Sequence, residues 1–456
     1  MKTDILVIGA GPAGYVAALK AAQGGARVTL IERRELGGTC LNRGCIPSKT
    51  YLYNAEIIAS IAQAAERGIR ITDPAITIDL PRVVAAKNQV VRTLTGGIRG
   101  LLKSRAVEVI SGTAVLQSPR EARVDGTRLV TASQGVIVAC GSQPSVPPIP
   151  GAEHPRVLTS DHLLDLTEMP EALVIIGAGV VGLELAQIYR SYGIPVTLVE
   201  AEPRMAPFLD ADLSQALGRS LGSRGIVCHT GATVSRITTD ASDHLIVTGD
   251  RFPDLTASHV LIATGRKPDL AAFGTLPVRQ PRGFVEVADT MQTSIPGVYA
   301  PGDINGRSML AHAASRMGEI AVENALGRRR AFDVRFVPGC IYGMPEVAWV
   351  GLTEEQARAR GEVEVGRFPF AANGRALCCG HPAGFVKLLA SKQHKELLGV
   401  HIVGPTASEL INEAAALMAQ EITADELAET VHAHPTHAET LMEAAAAALG
   451  RCLHLP

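Results

Sequence analysis

The stretch ILVIGAGPAGYVAALKAAQGGARVTLIE, from Ile5 to Glu32, decides the fold. Ile5-Leu6-Val7-Ile8 reads as a buried strand, and Gly9, Gly11 and Gly14 form a G-x-G-x-x-G turn directly behind it. Ala and Leu then recur at helical spacing, and a second apolar run ends on an acid, Glu32. Each part has a physical task. Glycines let the backbone turn sharply and approach a pyrophosphate, whose charge sits at the positive end of the helix dipole. A carboxylate closing the second strand can accept from both hydroxyls of an adenosine ribose. A lone glycine pattern is weak evidence; the ordered succession of strand, turn, helix, strand and acid marks a βαβ dinucleotide-binding unit.

The same grammar returns in LVIIGAGVVGLELAQIYRSYGIPVTLVE, from Leu173 to Glu200, with Gly177, Gly179 and Gly182 in the turn. Glu200 favours the free 2′-hydroxyl of NAD over the 2′-phosphate of NADP, although Arg204 follows soon after. Pro144, Pro147, Pro148 and Pro150 separate the two units, because proline does not readily continue a helix or a central strand. The second unit is expected to close near IATGRKPD, Ile262 to Asp269. The expected architecture is α/β: two Rossmann-like dinucleotide-binding domains and a C-terminal α+β domain. Boundaries are placed at 1–147, 148–270, 271–334 for a central segment completing the first site, and 335–456. EAAALMAQEITADELAETV and ETLMEAAAAALG are strong helix-forming runs, with His434 in the proline-containing break between them.

Composition narrows the function classes. Forty-three basic residues against 45 acidic ones give a net charge of −2, so there is no broad basic surface for nucleic acid or an anionic membrane. Met1 to Asp4 lead straight into a strand without a secretory pattern, and no apolar run approaches the ~18 residues of a membrane span. The cytoplasm is the default address. Eight scattered cysteines suit a reducing compartment in which one pair is functional. That pair stands in GGTCLNRGCIPSK, Gly37 to Lys49, where Cys40 and Cys45 can be bridged if a helical turn brings their Cα atoms within roughly 4.4–6.8 Å. Zinc is the rival reading, but an isolated pair supplies too few ligands, so no metal is expected.

On these residues the chain resembles the FAD-dependent disulfide reductases, and within them the dihydrolipoamide-oxidising branch. The resemblance spans essentially the whole chain, through GTCLNRGCIPSK, ATGRKPD, YAPGD, CIYGMPEVAWVGLTEEQA, ANGRA and HAHPTHAE. It implies FAD in the first unit, NAD in the second, a homodimer through the C-terminal domain, and a lipoyl-bearing domain of a 2-oxoacid dehydrogenase or glycine cleavage complex as partner. It further implies that Cys45 is the thiol beside the flavin, that Cys40 exchanges with substrate, and that Lys49, paired with Glu184, sits near the flavin N5. His434, oriented by Glu439, becomes the base acting on the disulfide of the other subunit; from the residues alone His432, His434 and His437 are nearly tied. The residues implied to contact FAD are Gly9, Gly11, Pro12, Ala13, Gly14, Glu32, Gly38, Thr39, Lys49, Ala114, Gly141, Asp303 and Ala311. Those implied for NAD are Gly177, Gly179, Val180, Val181, Gly182, Glu200, Val234, Ala263, Gly265 and Arg266.

Some features depart from the family pattern. Cys140 stands in Ala139-Cys140-Gly141 where threonine is usual, and is read as buried filler; Pro301 stands in YAPGD where isoleucine is common. Adjacent Cys378 and Cys379 would form only a strained ring and are read as ordinary thiols. Glutathione, trypanothione and mercuric reductases are the rival branches. Glu200, the HAHPT string and the solitary Cys452 near the end argue against them. A non-catalytic structural flavoprotein is the rival from another class, and it requires no such set of Cys40, Cys45, His434 and Glu439.

Overall fold

A computed structural model describes residues 1–72 and 75–455. The strand Lys2–Ile8, the helix Pro12–Gln23 and the strand Val28–Glu32 form the first βαβ unit. Lys2–Ile8 pairs in parallel with Val28–Glu32 on one side and with Arg128–Val138 on the other. The sheet extends through Glu108–Ser111 at one edge and through an antiparallel excursion, Glu121–Val124 and Ala114–Ser118, at the other. The short strand Val298–Tyr299 returns to pair with Arg128–Val138, so the segment after the second unit completes the first sheet. The helix Ala311–Ala325 packs on Pro12–Gln23 so closely that a Cβ on Gly318 would lie 2.3 Å from the Ala13 carbonyl oxygen.

The second unit repeats the plan. Leu173–Ile176, the helix Val180–Ser191 and Val196–Glu200 build a parallel sheet flanked by Val227–Thr230, His259–Ile262 and Val157–Leu158. A separate antiparallel sheet of Val234–Thr239, Leu245–Gly249 and Leu255–Ala257 covers it. Between the units runs a two-stranded ribbon, Ser142–Pro144 against Arg266–Pro268. The proline-rich boundary thus begins as strand, which Pro144 tolerates because the ribbon has no central position.

The C-terminal part is a five-stranded antiparallel sheet ordered Gly339–Ile341, Glu346–Gly351, Leu397–Gly404, Phe385–Ser391, Val363–Pro369. The helix Glu439–Ala448 lies against its edge, where a Cβ on Gly366 would fall 1.9 Å from the Ala444 carbonyl oxygen. The helix-forming run that precedes it breaks in two, Ala407–Ala419 and Ala424–Glu429. Glu421 takes a φ of +58°, and Thr423 starts the second helix with a reciprocal capping box to Glu426, so a local cap overrides helix propensity.

This sheet is tied to the second unit by charge. Lys387, with its side chain 3% exposed, places Nζ 2.8 Å from Asp210, 2.9 Å from Asp212 and 2.7 Å from Glu354. Burial works against its charge, yet the three carboxylates hold its pKa above the ordinary lysine value. No helix among the described residues is long and apolar enough to cross a membrane.

Candidate functional site

Both glycine turns are built to receive a phosphate group. Gly9 has a φ of +97° and backs onto Ala139, whose carbonyl oxygen a Cβ would approach to 2.4 Å; Gly177, at +106°, backs onto Ala263 at 2.5 Å. Gly14 and Gly182 let helix and strand touch, because a Cβ on either would lie 1.8 Å and 2.0 Å from the carbonyl oxygens of Gly9 and Gly177. Gly179 opens onto free space, and Gly11 faces only the Cα of Gly38, at 3.9 Å. Neither helix has a side-chain N-cap, so first-turn N–H groups at Ala13 and Val181 are left for an anion.

The two acids behave alike. Glu32 Oε2 accepts from Ala10 N–H at 2.6 Å and Oε1 from Arg34 N–H at 2.7 Å. Glu200 accepts from Ala178 N–H at 2.6 Å and Glu202 N–H at 2.9 Å. Each carboxylate is locked against its own glycine turn, and each oxygen keeps a second lone pair for a ribose hydroxyl. The residues present therefore fit a dinucleotide at each turn.

The cysteine pair lies on two helices, a difference from the single helical turn expected of the spacing. Residues five apart sit about 140° apart around a continuous helix, so unbroken helix would separate the sulfurs. Gly38–Arg43 ends at Gly44, whose φ and ψ are −136° and −113°, and a new helix, Cys45–Gln63, starts there. The break brings both side chains into hydrogen-bond contact. That bond from Cys40 is the main force holding the Cys45 thiol down at about 7, helped by Lys49 and opposed by burial. Cys40 shifts upward for the same bond, and burial adds to it.

Lys49 Nζ reaches both oxygens of Glu184 at 2.9 Å, across from one unit to the other. Glu184 is buried on the helix Val180–Ser191, with Val180 opening that helix beside Val181. Gly38 packs on Gly11, where a Cβ would lie 2.6 Å away, and Thr39 follows it in the first cysteine helix. Gly141, with φ +69°, and Gly265, with φ +129°, turn the chain into the two ribbon strands. Asp303 accepts from Ser142 Oγ at 2.6 Å, a partner that no motif announces. Arg266, expected at the nicotinamide dinucleotide, donates to Ser142 Oγ at 2.7 Å and Ser142 O at 2.8 Å, and lies 4.0 Å from Asp303. Its guanidinium is spent on the ribbon and the Asp303 side.

Ala311 opens its helix as expected, while Ala114 and Val234 each open a strand. His312 Nε2 is 2.8 Å from the Pro338 carbonyl oxygen, a structural bond. Burial pushes the Cys140 thiol up to about 12, which makes it a poor nucleophile.

His434 and Glu439 meet: Nδ1 lies 2.8 Å from Oε1, and the other Glu439 oxygen accepts from Thr436 N–H at 2.7 Å. Burial opposes charge on Glu439, but Thr436 and His434 hold its pKa below the ordinary value. The His434 side chain is 78% exposed. Its neighbours are occupied differently: His432 Nε2 lies 2.8 Å from Glu413, and His437 Nδ1 is 3.1 Å from Thr406 Oγ1. Of the three histidines, His434 is the one that joins an oriented nitrogen to an open face.

The profile of pyridine nucleotide-disulphide oxidoreductases matches residues 3–318, and that of their dimerisation domain matches residues 337–445. Dihydrolipoyl dehydrogenase of Chlamydia muridarum is 39% identical over 461 residues, covering 99% of this chain and 98% of its own. The Bacillus subtilis enzyme of that name is 39% identical over 459 residues, with 99% of each chain covered. Among solved structures, LpdA from Mycobacterium tuberculosis superposes with a TM-score of 0.88 at 29% identity, over 97% of this chain and 99% of its own. The HOCl-induced flavoprotein disulfide reductase RclA from Escherichia coli gives 0.86 at 29%, over 97% and 99%. With a family profile across most of its length and full-length relatives near 40% identity, the chain belongs to the pyridine nucleotide-disulphide oxidoreductases.

Proposed function

We propose that the chain is a dihydrolipoyl dehydrogenase, oxidising dihydrolipoamide to lipoamide with NAD⁺. The observation that carries this reading is the Cys40–Cys45 pair, broken out of one helix at Gly44 and polarised so that Cys45 holds the charge. FAD and NAD are the family's cofactors. The first turn, with Glu32, Gly38, Thr39, Gly141 and Asp303, would hold FAD, and the second, with Glu200, would hold NAD. FAD, when bound, supplies a two-electron acceptor between the dithiol and the nicotinamide.

The chain's own residues do the rest. His434, with Nδ1 held by Glu439, takes a proton on its other nitrogen from a substrate thiol. The substrate thiolate attacks Cys40 in the disulfide form, a mixed disulfide forms, and Cys45 leaves as a thiolate. The second substrate thiol then attacks the substrate sulfur joined to Cys40, closing the lipoyl ring while its proton passes to Cys40, which leaves as a thiol. Two thiols are oxidised and one disulfide is reduced. Lys49, held by Glu184, places a positive charge that favours the Cys45 thiolate.

The exposure of His434 supports a second copy as the owner of the cysteines it serves, in a homodimer formed through the dimerisation domain. A lipoyl-bearing domain of a 2-oxoacid dehydrogenase or glycine cleavage complex is the proposed partner, the cytoplasm the proposed location, and 1–147, 148–270, 271–334 and 335–456 the proposed working segments. Purified protein should show a flavin spectrum and reduce NAD⁺, not NADP⁺, with dihydrolipoamide. Cys45→Ser should abolish turnover and His434→Ala should lower it by about 10²–10⁴. Inactivity with dihydrolipoamide alongside NADPH-dependent reduction of another disulfide would overturn the substrate.

A further inference from the structure

Three parts of the molecule meet at Lys49, and the third is neither dinucleotide unit. It is the turn after the strand Gly339–Ile341. Tyr342 in that turn makes two contacts with the Lys49–Glu184 pair: its backbone N–H donates to Glu184 Oε1 at 3.1 Å, and its ring lies beneath Lys49 Nζ, 4.2 Å from the centroid. Two residues on, Met344 N–H donates to Gln187 Oε1 at 2.9 Å. Glu184 and Gln187 are three apart on one helix and so share a face. Gly343, between the two donors, has a φ of +153°, and a Cβ there would lie 2.3 Å from the Gln187 amide. The turn is therefore fitted to this helix at close range.

A lysine stem has several rotatable bonds, and its side chain here is 32% exposed, so a single carboxylate leaves the ammonium room to move. An aromatic face beneath it removes that freedom and adds attraction of its own. The position matters because Lys49 is the positive charge that acts on Cys45. Cys40 and Lys49 favour the thiolate and Glu184 opposes it; Asp303 acts on Cys40, and the charges of Cys340, Glu346, Glu184 and Glu409 act on the Tyr342 phenol.

We propose that Tyr342 is a positioning residue for the Lys49 ammonium, its ring and backbone N–H together fixing the Lys49–Glu184 pair and so the positive charge that faces Cys45. The inference rests on the reading of Cys45 as the thiolate member of the pair. It makes the dimerisation domain part of the thiol chemistry from within the same chain.

The holoprotein, reduced to its dithiol form, is titrated by thiolate ultraviolet absorbance, with Cys45→Ser subtracted as reference. The parent midpoint is expected near 7. Tyr342→Leu keeps the backbone N–H and removes the ring, and should raise the midpoint by roughly half a unit or more; Lys49→Met should raise it further. Tyr342→Phe should titrate with the parent. A parent midpoint at the ordinary thiol value of about 8.5 would remove the underlying reading. A normal parent with an unshifted Tyr342→Leu, while Lys49→Met shifts, would overturn the proposal alone, as would a Tyr342→Phe shift equal to that of Tyr342→Leu. Should Tyr342→Leu fail to retain flavin, Tyr342→Met fills the same volume and reads the same quantity.

Discussion

In the dithiol form, Cys40 donates its S–H toward Cys45, and this bond decides which sulfur carries charge. Removing the donor tests it. Cys40→Ala should raise the Cys45 midpoint by about one unit toward the ordinary range, and Cys40→Ser, which keeps an O–H donor, should raise it less. The sign follows from linkage. The folded Cys45 value lies below the unfolded one, so its share of dithiol stability is present above about 8.5 and is lost as pH falls through about 7. A thiolate signal persisting well below that in Cys40→Ala would contradict the assignment. At this scale the cysteines and the glycines were legible, because each motif lies within a few consecutive residues, whereas His434 with Glu439 was singled out only by the family resemblance, three histidines being nearly tied from the residues alone. Ser142 on Asp303 and Tyr342 on Lys49 were not, since their partners lie far off in the chain and no spacing encodes a meeting between domains.

Elements show where local pattern stops being enough. The βαβ grammar of both units was readable because strand, turn and helix each obey short-range rules, and the folded glycine turns follow it closely. Gly14→Ala tests the tightest approach, where the added carbon would lie 1.8 Å from the Gly9 carbonyl oxygen. Strain of about 1–3 kcal/mol or more should lower flavin affinity by tenfold or greater, measured as flavin retained on purification. Gly97→Ala is the contrast: it lies in the helix Leu80–Ser104 with nothing near its added carbon, and should stabilise by about 0.5–1 kcal/mol. Gly44 resisted reading because the backbone angles that part the two cysteine helices are set by packing, and a glycine in GGTCLNRGCIPSK reads equally well as continuing the turn.

For the whole molecule, an oriented base that is largely exposed on its own chain predicts complementation between copies. Mixed dimers of His434→Ala with Cys45→Ser hold one pairing of intact cysteines with intact histidine, and should recover activity well above that of either parent variant; activity no higher than that of His434→Ala would place the base in the same chain as its cysteines. The C-terminal sheet and its helices were readable as an α+β part, whereas the Lys387 cluster was not, because its carboxylates come from two separate parts of the chain. The ribbon of Ser142–Pro144 and Arg266–Pro268 is where the chain leaves the first sheet and where it returns, with Pro144 paired to Arg266. Everything between is thus a cassette whose two ends are side by side, the condition under which one unit can be exchanged for another to change nucleotide preference. A transplant has its own docking code to honour: without acids at Glu184, Asp210 and Asp212, the host would be left with Lys49 stripped of its carboxylate beside the thiols and Lys387 holding only Glu354 deep in the seam.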